Sequence, residues 1–222
     1  MSLIRLLKGV VALQATPAKY RRDYWRSLYP TPGEQGTLPL PWINYRAIEH
    51  LDNLISPGTR IFEYGSGAST AYWVKRGCVV TSVEHDRDFF GKIGAETGRH
   101  AAVVLLEPKA ERNPSDHAPA SLHSFHSSDF PGFSFEDYVR FIDRFPDESF
   151  DLILIDGRAR PSCINSAVGK VKRGGVLVLD NSDRKHYLEE AAVLLQNWPR
   201  KTFRGAVRGL VHQEQTTVFR RP

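Results

Sequence analysis

The chain has 222 residues, 41% of them hydrophobic, and 30 Lys and Arg against 25 Asp and Glu give it a formal net charge of +5. That length supports one sizeable core with appendages rather than two large domains, and no apolar run approaches the ~18 residues that a membrane-spanning helix needs. Cys78 and Cys163 are too few for a disulfide framework or a cysteine zinc site, which fits a reducing, cytoplasmic setting.

The first elements surround proline-rich sequence. In SLIRLLKGVVAL, Leu3, Leu6, Leu7, Val10 and Leu13 share one helical face, while Arg5 and Lys8 interrupt what would otherwise resemble a signal-peptide core. Such a helix packs on the domain or on a second subunit in a homo-oligomer; the alternative is a peripheral membrane anchor. Residues 14–41 carry Pro17, Pro30, Pro32, Pro39 and Pro41 and read as an irregular arm, so residues 1–41 are a helix and arm, and 42–222 the main domain. Ile43, Ala47, Ile48, Leu51, Leu54 and Ile55 recur at helical spacing until Ser-Pro-Gly at 56–58 stops the helix. Trp42 and Tyr45 read as packing residues of this helix.

From Arg60 onward strands and helices alternate. The strands are RIFEY, VVTSVEHD, AAVVLLE, FDLILIDG and GVLVLDN, and helices are expected over STAYWVKRG, RDFFGKIGAET and the segments starting at Ser134, Pro161 and Tyr187. Ile164, Ala167, Val168 and Val171 face the core from the fourth of these helices, which Arg-Gly-Gly at 173–175 ends. Continuous apolar strands separated by helices predict an α/β fold with a parallel sheet buried on both faces. KTFRGAVRGLVH and QTTVFRR then form a terminal antiparallel strand pair. Residues 108–133, rich in Pro, Ser and His, form the longest irregular stretch inside the domain; loops of that length are functional or disordered.

In an open parallel sheet, ligands bind beyond the carboxyl ends of the strands, where strand order reverses. The first strand runs into Glu63-Tyr64-Gly65-Ser66-Gly67. Gly65 and Gly67 allow a tight bend and close approach of a ligand, and Ser69 or Thr70 is placed to cap the next helix, whose N-terminus favours a negative group. Glu84, 19 residues past Gly65, ends the second strand, where a carboxylate accepts hydrogen bonds from both ribose hydroxyls. Nicotinamide dinucleotides and S-adenosylmethionine both suit these features. An inward Glu63 would oppose a pyrophosphate but welcome an ammonium and a sulfonium, and the third glycine of a dinucleotide turn is replaced by Thr70.

With EYGSGAST, VTSVEHD, LILIDGRARPSC and GGVLVLDNSDR, the sequence from Trp42 to Pro222 resembles the class I, Rossmann-like S-adenosylmethionine-dependent methyltransferases. The resemblance implies a doubly wound, mostly parallel seven-stranded sheet, with Glu63, Gly65, Ser66 and Gly67 around the methionine end of the cofactor, Glu84 on the ribose and His85 near the adenine. Asp156, after the fourth strand, would contact the methionine ammonium or remove a proton from the acceptor, with Arg158 beside it.

Asp156, Asp180 and Asn181 put three oxygen donors at adjacent strand ends, a set that Mg²⁺ accepts. It resembles the metal site of the catechol and caffeoyl-coenzyme A O-methyltransferases. Those enzymes carry a lysine three residues after the first Asp, where this chain has Ala159 between Arg158 and Arg160. Strand-end carboxylates that are hydrogen-bonded or meet the cofactor are the alternative to a metal site. Arg158, Arg160, Arg184 and Lys185 point to an acidic acceptor, such as a uronic acid or phosphorylated metabolite, or else form a solvated rim. His117, His123 and His126 match no zinc pattern and belong to a loop over the acceptor pocket. Trp42 and Tyr45 line that pocket if they are not core. The expected activity is O-directed methyl transfer to a small molecule or saccharide; the rivals are an NAD-dependent oxidoreductase and a non-catalytic binding module. RNA is disfavoured, because Arg200, Lys201, Arg204, Arg208, Arg220 and Arg221 are poorly interleaved with aromatic residues.

Overall fold

A computed structural model describes residues 3–28, 40–111 and 121–222. The apolar runs form β1 (Arg60–Tyr64), β2 (Val79–Glu84), β3 (Ala101–Leu105), β6 (Phe150–Ile155) and β7 (Val171–Leu179), all parallel. Two short strands, β4 (Lys109–Ala110) and β5 (Phe133–Ser134), pair separately at the base of the long loop. The chain closes with β8 (Arg200–Ala206) and β9 (Gln213–Arg220). Sheet order is β3-β2-β1-β6-β7-β9-β8, and β9 runs antiparallel to both neighbours. Strand order reverses between β1 and β6, so both carboxyl ends open onto one crevice.

Two helical layers cover the sheet, and period-two alternation sorts the side chains between them. Leu152, Leu154, Val176 and Val178 face α3 (Tyr45–Asp52) and Trp73 of α4 (Ala68–Val74). Ile153, Ile155, Leu177 and Leu179 face α6 (Glu136–Arg140), α7 (Arg160–Ala167) and α8 (Lys185–Leu195). One further helix, α5 (Arg87–Thr97), links β2 to β3 and is capped by Asp86, whose carboxylate accepts from Phe89 N at 2.8 Å.

The arm departs from expectation. Residues 14–28 are not irregular throughout: after α1 (Leu3–Ala15), a 3₁₀ turn (Ala18–Tyr20) leads into α2 (Arg21–Leu28), while residues 29–39 lie outside the described residues. Tyr20, Tyr24 and Leu28 recur every four residues and are buried in the same cluster as α3. Asp52 of α3 anchors this segment, accepting from Tyr20 Oη at 2.9 Å, Tyr72 Oη at 2.6 Å and Lys19 Nζ at 3.1 Å. On α1, Ala12 is buried, whereas Val10 and Val11 are exposed, so Val10 does not belong to the packed face.

Two further departures concern the second half. Arg173-Gly174-Gly175 does not end α7, which stops at Ala167; these residues are part of β7. Gly174 sits at φ +74°, and a Cβ on Gly175 would come within 2.8 Å of Asp151 O, so the glycines accommodate an irregularity in the strand where its pairing with β6 shifts register. Val171 is accordingly buried as a strand residue. Tyr45 is core, as expected, but Trp42 is 64% exposed. Cys163 lies in α7 and Cys78 one residue before β2, both buried and unpaired.

Candidate functional site

The crevice at the strand reversal is a cavity of about 1200 Å³, lined by strand ends on one side and by α2 and the β8–β9 loop on the other. It is roomier than the ~300–1,000 Å³ of most small-ligand pockets. Gly65 leaves β1 at φ +96°, and a Cβ there would lie 3.1 Å from Gly157 Cα and 3.2 Å from Asp156 O. Gly157 is equally constrained, since its Cβ would overlap the Tyr138 hydroxyl and come within 2.9 Å of Tyr64 O. The ends of β1 and β6 thus meet at a distance that excludes side chains. Gly67 is different: its φ of 173° is extended backbone and its Cβ would find 3.6 Å of clearance, so the bend depends on Gly65 alone.

Glu84 closes the turn from the opposite side. Its Oε2 accepts from Ser66 N at 2.9 Å and Ser66 Oγ at 3.0 Å, and its Oε1 accepts from His85 N at 2.8 Å and Asp86 N at 2.9 Å. It is 3% exposed yet reaches the cavity wall, so it is no solvated strand end. Burial pushes its pKa up, but His85, the Asp86 amide and Ser66 outweigh that and hold it below the usual carboxylate value. His85 Nε2 accepts from Arg158 Nε at 3.3 Å, and its Nδ1 lies 2.8 Å from Glu84 Oε1. Phe130 stands edge-on to His85 at 5.4 Å, and the Arg158 guanidinium lies 5.0 Å over the Phe130 ring while pairing with Asp129.

Glu63 has another position. It is wholly buried beneath the turn and does not line the cavity. Trp73 Nε1 donates to its Oε1 at 2.9 Å, whereas Oε2 has no hydrogen-bond partner among the described residues. Burial, only partly offset by the side chains of Ser69, Thr70 and Trp73, pushes its pKa up to about 7, with the charge of Asp156 adding to the rise. Ser69 and Thr70 are likewise buried away from the cavity, and Thr70 Oγ1 accepts from Gly67 N at 3.0 Å, giving the cap expected at the start of α4. The anionic edge of the crevice therefore comes from Glu84 and Asp156, not from Glu63.

The strand ends of β6 and β7 meet at Arg160. It is 7% exposed, and it donates through Nη2 to Asp156 Oδ1 at 3.0 Å, through Nε to Gly157 O at 3.0 Å and through Nη1 to Asp180 O. Asp180 is 1% exposed, and its Oδ1 accepts from Thr216 Oγ1 at 2.5 Å. Burial pushes both aspartates up, and for Asp180 the neighbouring Asp156 charge adds further; Arg160 opposes this in each. The two carboxyls titrate as a coupled pair, with the Arg160 guanidinium favouring charge on Asp156, to which it donates. Asn181, at φ +49°, turns its amide away and donates to Glu214 Oε2 at 2.9 Å. Among the described residues no three His, Cys, Asp or Glu side chains are grouped to hold a metal ion.

Of the expected basic rim, only Arg158 and Arg160 reach the cavity; Arg184 instead donates to Tyr187 Oη at 3.0 Å. The loop histidines are dispersed. His126 contacts Glu111 at 2.9 Å, His123 is exposed, and His117 lies outside the described residues. Residues that sequence reasoning missed include Glu214 and Thr216 on β9, Phe89 and Phe130, and the opposite wall of Lys19, Arg22, Arg26 and Arg208, whereas Trp42, offered as a lining residue in place of core packing, does line the cavity. The four-residue spacing of Tyr20, Tyr24 and Leu28 was the available signal for the helix bearing that wall.

No family model matches the sequence, and no curated protein matches it. Solved structures do. A TehB-like SAM-dependent methyltransferase from Corynebacterium glutamicum superposes with a TM-score of 0.51 at 14% identity, covering 92% of this chain and 97% of that one. An O-methyltransferase from Bacillus cereus, solved in complex with SAH, gives 0.55 at 15% identity over 95% and 100% of the two chains. A methyltransferase-like protein from Silicibacter pomeroyi gives 0.52 at 22% identity over 83% and 90%. With its reversal between β1 and β6 and its antiparallel β9, the chain has the fold of the class I, Rossmann-like S-adenosylmethionine-dependent methyltransferases.

Proposed function

We propose that this protein is an S-adenosylmethionine-dependent methyltransferase acting on an oxygen of a small anionic acceptor, such as a sugar acid. The observation that carries this reading is the segregation of charge within one cavity. Glu84, Asp86, Asp156, Asp180 and Glu214 outnumber Arg158 and Arg160 on the strand-end side, while Lys19, Arg22, Arg26 and Arg208 outnumber Asp23, which lies 3.5 Å from Arg208, on the α2 side. A cationic cofactor suits the first wall and an acidic acceptor the second. Gly65 and Gly157 give the close backbone approach that a nucleoside requires, Glu84 supplies a carboxylate for ribose hydroxyls, and His85, Phe89 and Phe130 offer aromatic surface for a base. The residues present therefore fit the cofactor.

Bound there, the cofactor supplies a methyl carbon activated by a sulfonium leaving group. The protein's part is to align the acceptor oxygen behind that carbon and to take its proton. Asp156 is the group placed to do so, since it lines the cavity and is held in one orientation by Arg160. Arg158, tied to His85 and stacked over Phe130, links the base-binding surface to the acceptor side.

Calorimetric titration with S-adenosylhomocysteine and, separately, NAD tests the cofactor. Binding of NAD without S-adenosylhomocysteine would end this reading. A panel of hydroxylated carboxylates and phosphates then tests the acceptor: reversing Arg22 and Arg26 to Glu is expected to raise KM for the acceptor at least tenfold with the cofactor Kd unchanged.

A further inference from the structure

We propose that Arg160 takes the place of the divalent cation at the Asp156, Asp180 and Asn181 strand ends, making this a metal-independent site with a built-in monovalent cation. The inference deepens the methyltransferase reading and rests on it for its catalytic meaning. Each of the three residues that would form a Mg²⁺ set is already engaged. Asp156 Oδ1 receives Arg160 Nη2, Asp180 Oδ1 receives Thr216 Oγ1, and the Asn181 amide is turned onto Glu214 Oε2. The guanidinium fixes itself with two further bonds, to Gly157 O and Asp180 O, and its Cζ lies 5.7 Å from the centroid of the Tyr187 ring. Ala159 at φ +47° sets this geometry, because it turns the chain out of β6 so that α7 starts at Arg160.

A hard divalent ion needs about six oxygens in near-octahedral array with room for its waters. Here a planar fork bridges the Asp156 carboxylate and the Asp180 carbonyl, and Arg160 itself is almost wholly buried. An arginine is permanently charged and offers no open coordination position, so it cannot act as a Lewis acid or as a base. What it can do is hold Asp156 in one orientation beside the acceptor. Arg160 is thus a positioning residue, with Asp156 the group that meets the reacting oxygen.

The proposal predicts a gain of function in metal binding. Mn²⁺ is titrated by calorimetry and by electron paramagnetic resonance into wild type, Arg160→Ala, Arg160→Met and Arg160→Lys, with folding checked by circular dichroism. Wild type and Arg160→Lys are expected to show no saturable binding below millimolar ion. Arg160→Ala or Arg160→Met, which leave the oxygens without a cation, are expected to bind Mn²⁺ at least tenfold more tightly than wild type. Saturable sub-millimolar binding to wild type overturns the proposal, as does a folded Ala or Met variant that binds no tighter than wild type; if neither variant folds, the wild-type titration alone decides. S-adenosylhomocysteine titrated into wild type with EDTA present separates this result from a failure of the cofactor reading.

Discussion

Replacing Glu84 with Ala removes the acceptor of four hydrogen bonds, and two of the donors left behind, Ser66 N and Ser66 Oγ, belong to a buried residue of the glycine turn. A buried donor deprived of its acceptor costs about 1–3 kcal/mol, and these bonds are not independent, so a total near 3 kcal/mol is expected. For a chain of this length each kcal/mol lowers Tm by about 2–4 °C, giving a fall of roughly 6–12 °C. Glu84→Gln retains one carbonyl acceptor and should lose about half as much. Because the folded pKa of Glu84 lies below its ordinary value of 4.5, its contribution is present above that value and fades as pH falls through the folded one. The Ala variant should therefore approach wild type in acid. Thermal unfolding monitored by circular dichroism from pH 3 to 8, with and without S-adenosylhomocysteine, measures this directly. An Ala variant with unchanged Tm at neutral pH would refute the claim that Glu84 holds the turn.

Glu63 has the opposite sign: its folded pKa is raised from 4.5 to about 7, so wild-type stability is lost as pH rises across that interval, by roughly 3 kcal/mol. Glu63→Gln should flatten the pH profile there, as read by urea denaturation at each pH. Gly157→Ala pushes a methyl group into the Tyr138 hydroxyl and should destabilise by about 1–3 kcal/mol; adding Tyr138→Phe should recover part of that, while full additivity in the double-mutant cycle would count against the contact. Trp42→Ala should change stability by less than about 0.5 kcal/mol because the ring is exposed, yet raise KM for the acceptor in steady-state assays.

The parallel sheet was legible because strands buried on both faces leave uninterrupted apolar runs; Leu152 to Ile155 supply both cores in turn. The Gly65 bend and the place of Glu84 at the end of β2 followed from spacing along the chain. Other features have no local signature. Arg173-Gly174-Gly175 has the composition of a helix stop, and only pairing with β6 makes it part of a strand. Proline content obscured α2, although Tyr20, Tyr24 and Leu28 carried its stripe. Glu63 reads as a pocket acid until packing sets Trp73 against it. Arg160 reads as rim because Asp156, four residues before it, is the one side-chain partner its neighbourhood in sequence shows, while the Asp180 carbonyl is twenty residues away, and Glu214 and Thr216 reach those strand ends across more than thirty residues.

The loop that follows β7 is held almost entirely by the penultimate stretch of the polypeptide. Ser182 N bonds to Gln215 O at 2.8 Å, Gln215 Nε2 returns a bond to Ser182 O at 3.1 Å, and Asp180 and Asn181 lean on Thr216 and Glu214. Asp180 and Asn181 are therefore fixed only once β9 has inserted beside β7, whereas Glu84 and Asp156 are held without it. A chain truncated before β9 should leave the loop after β7 open even with its five parallel strands in place, read as faster hydrogen exchange at Ser182 N than in the full chain.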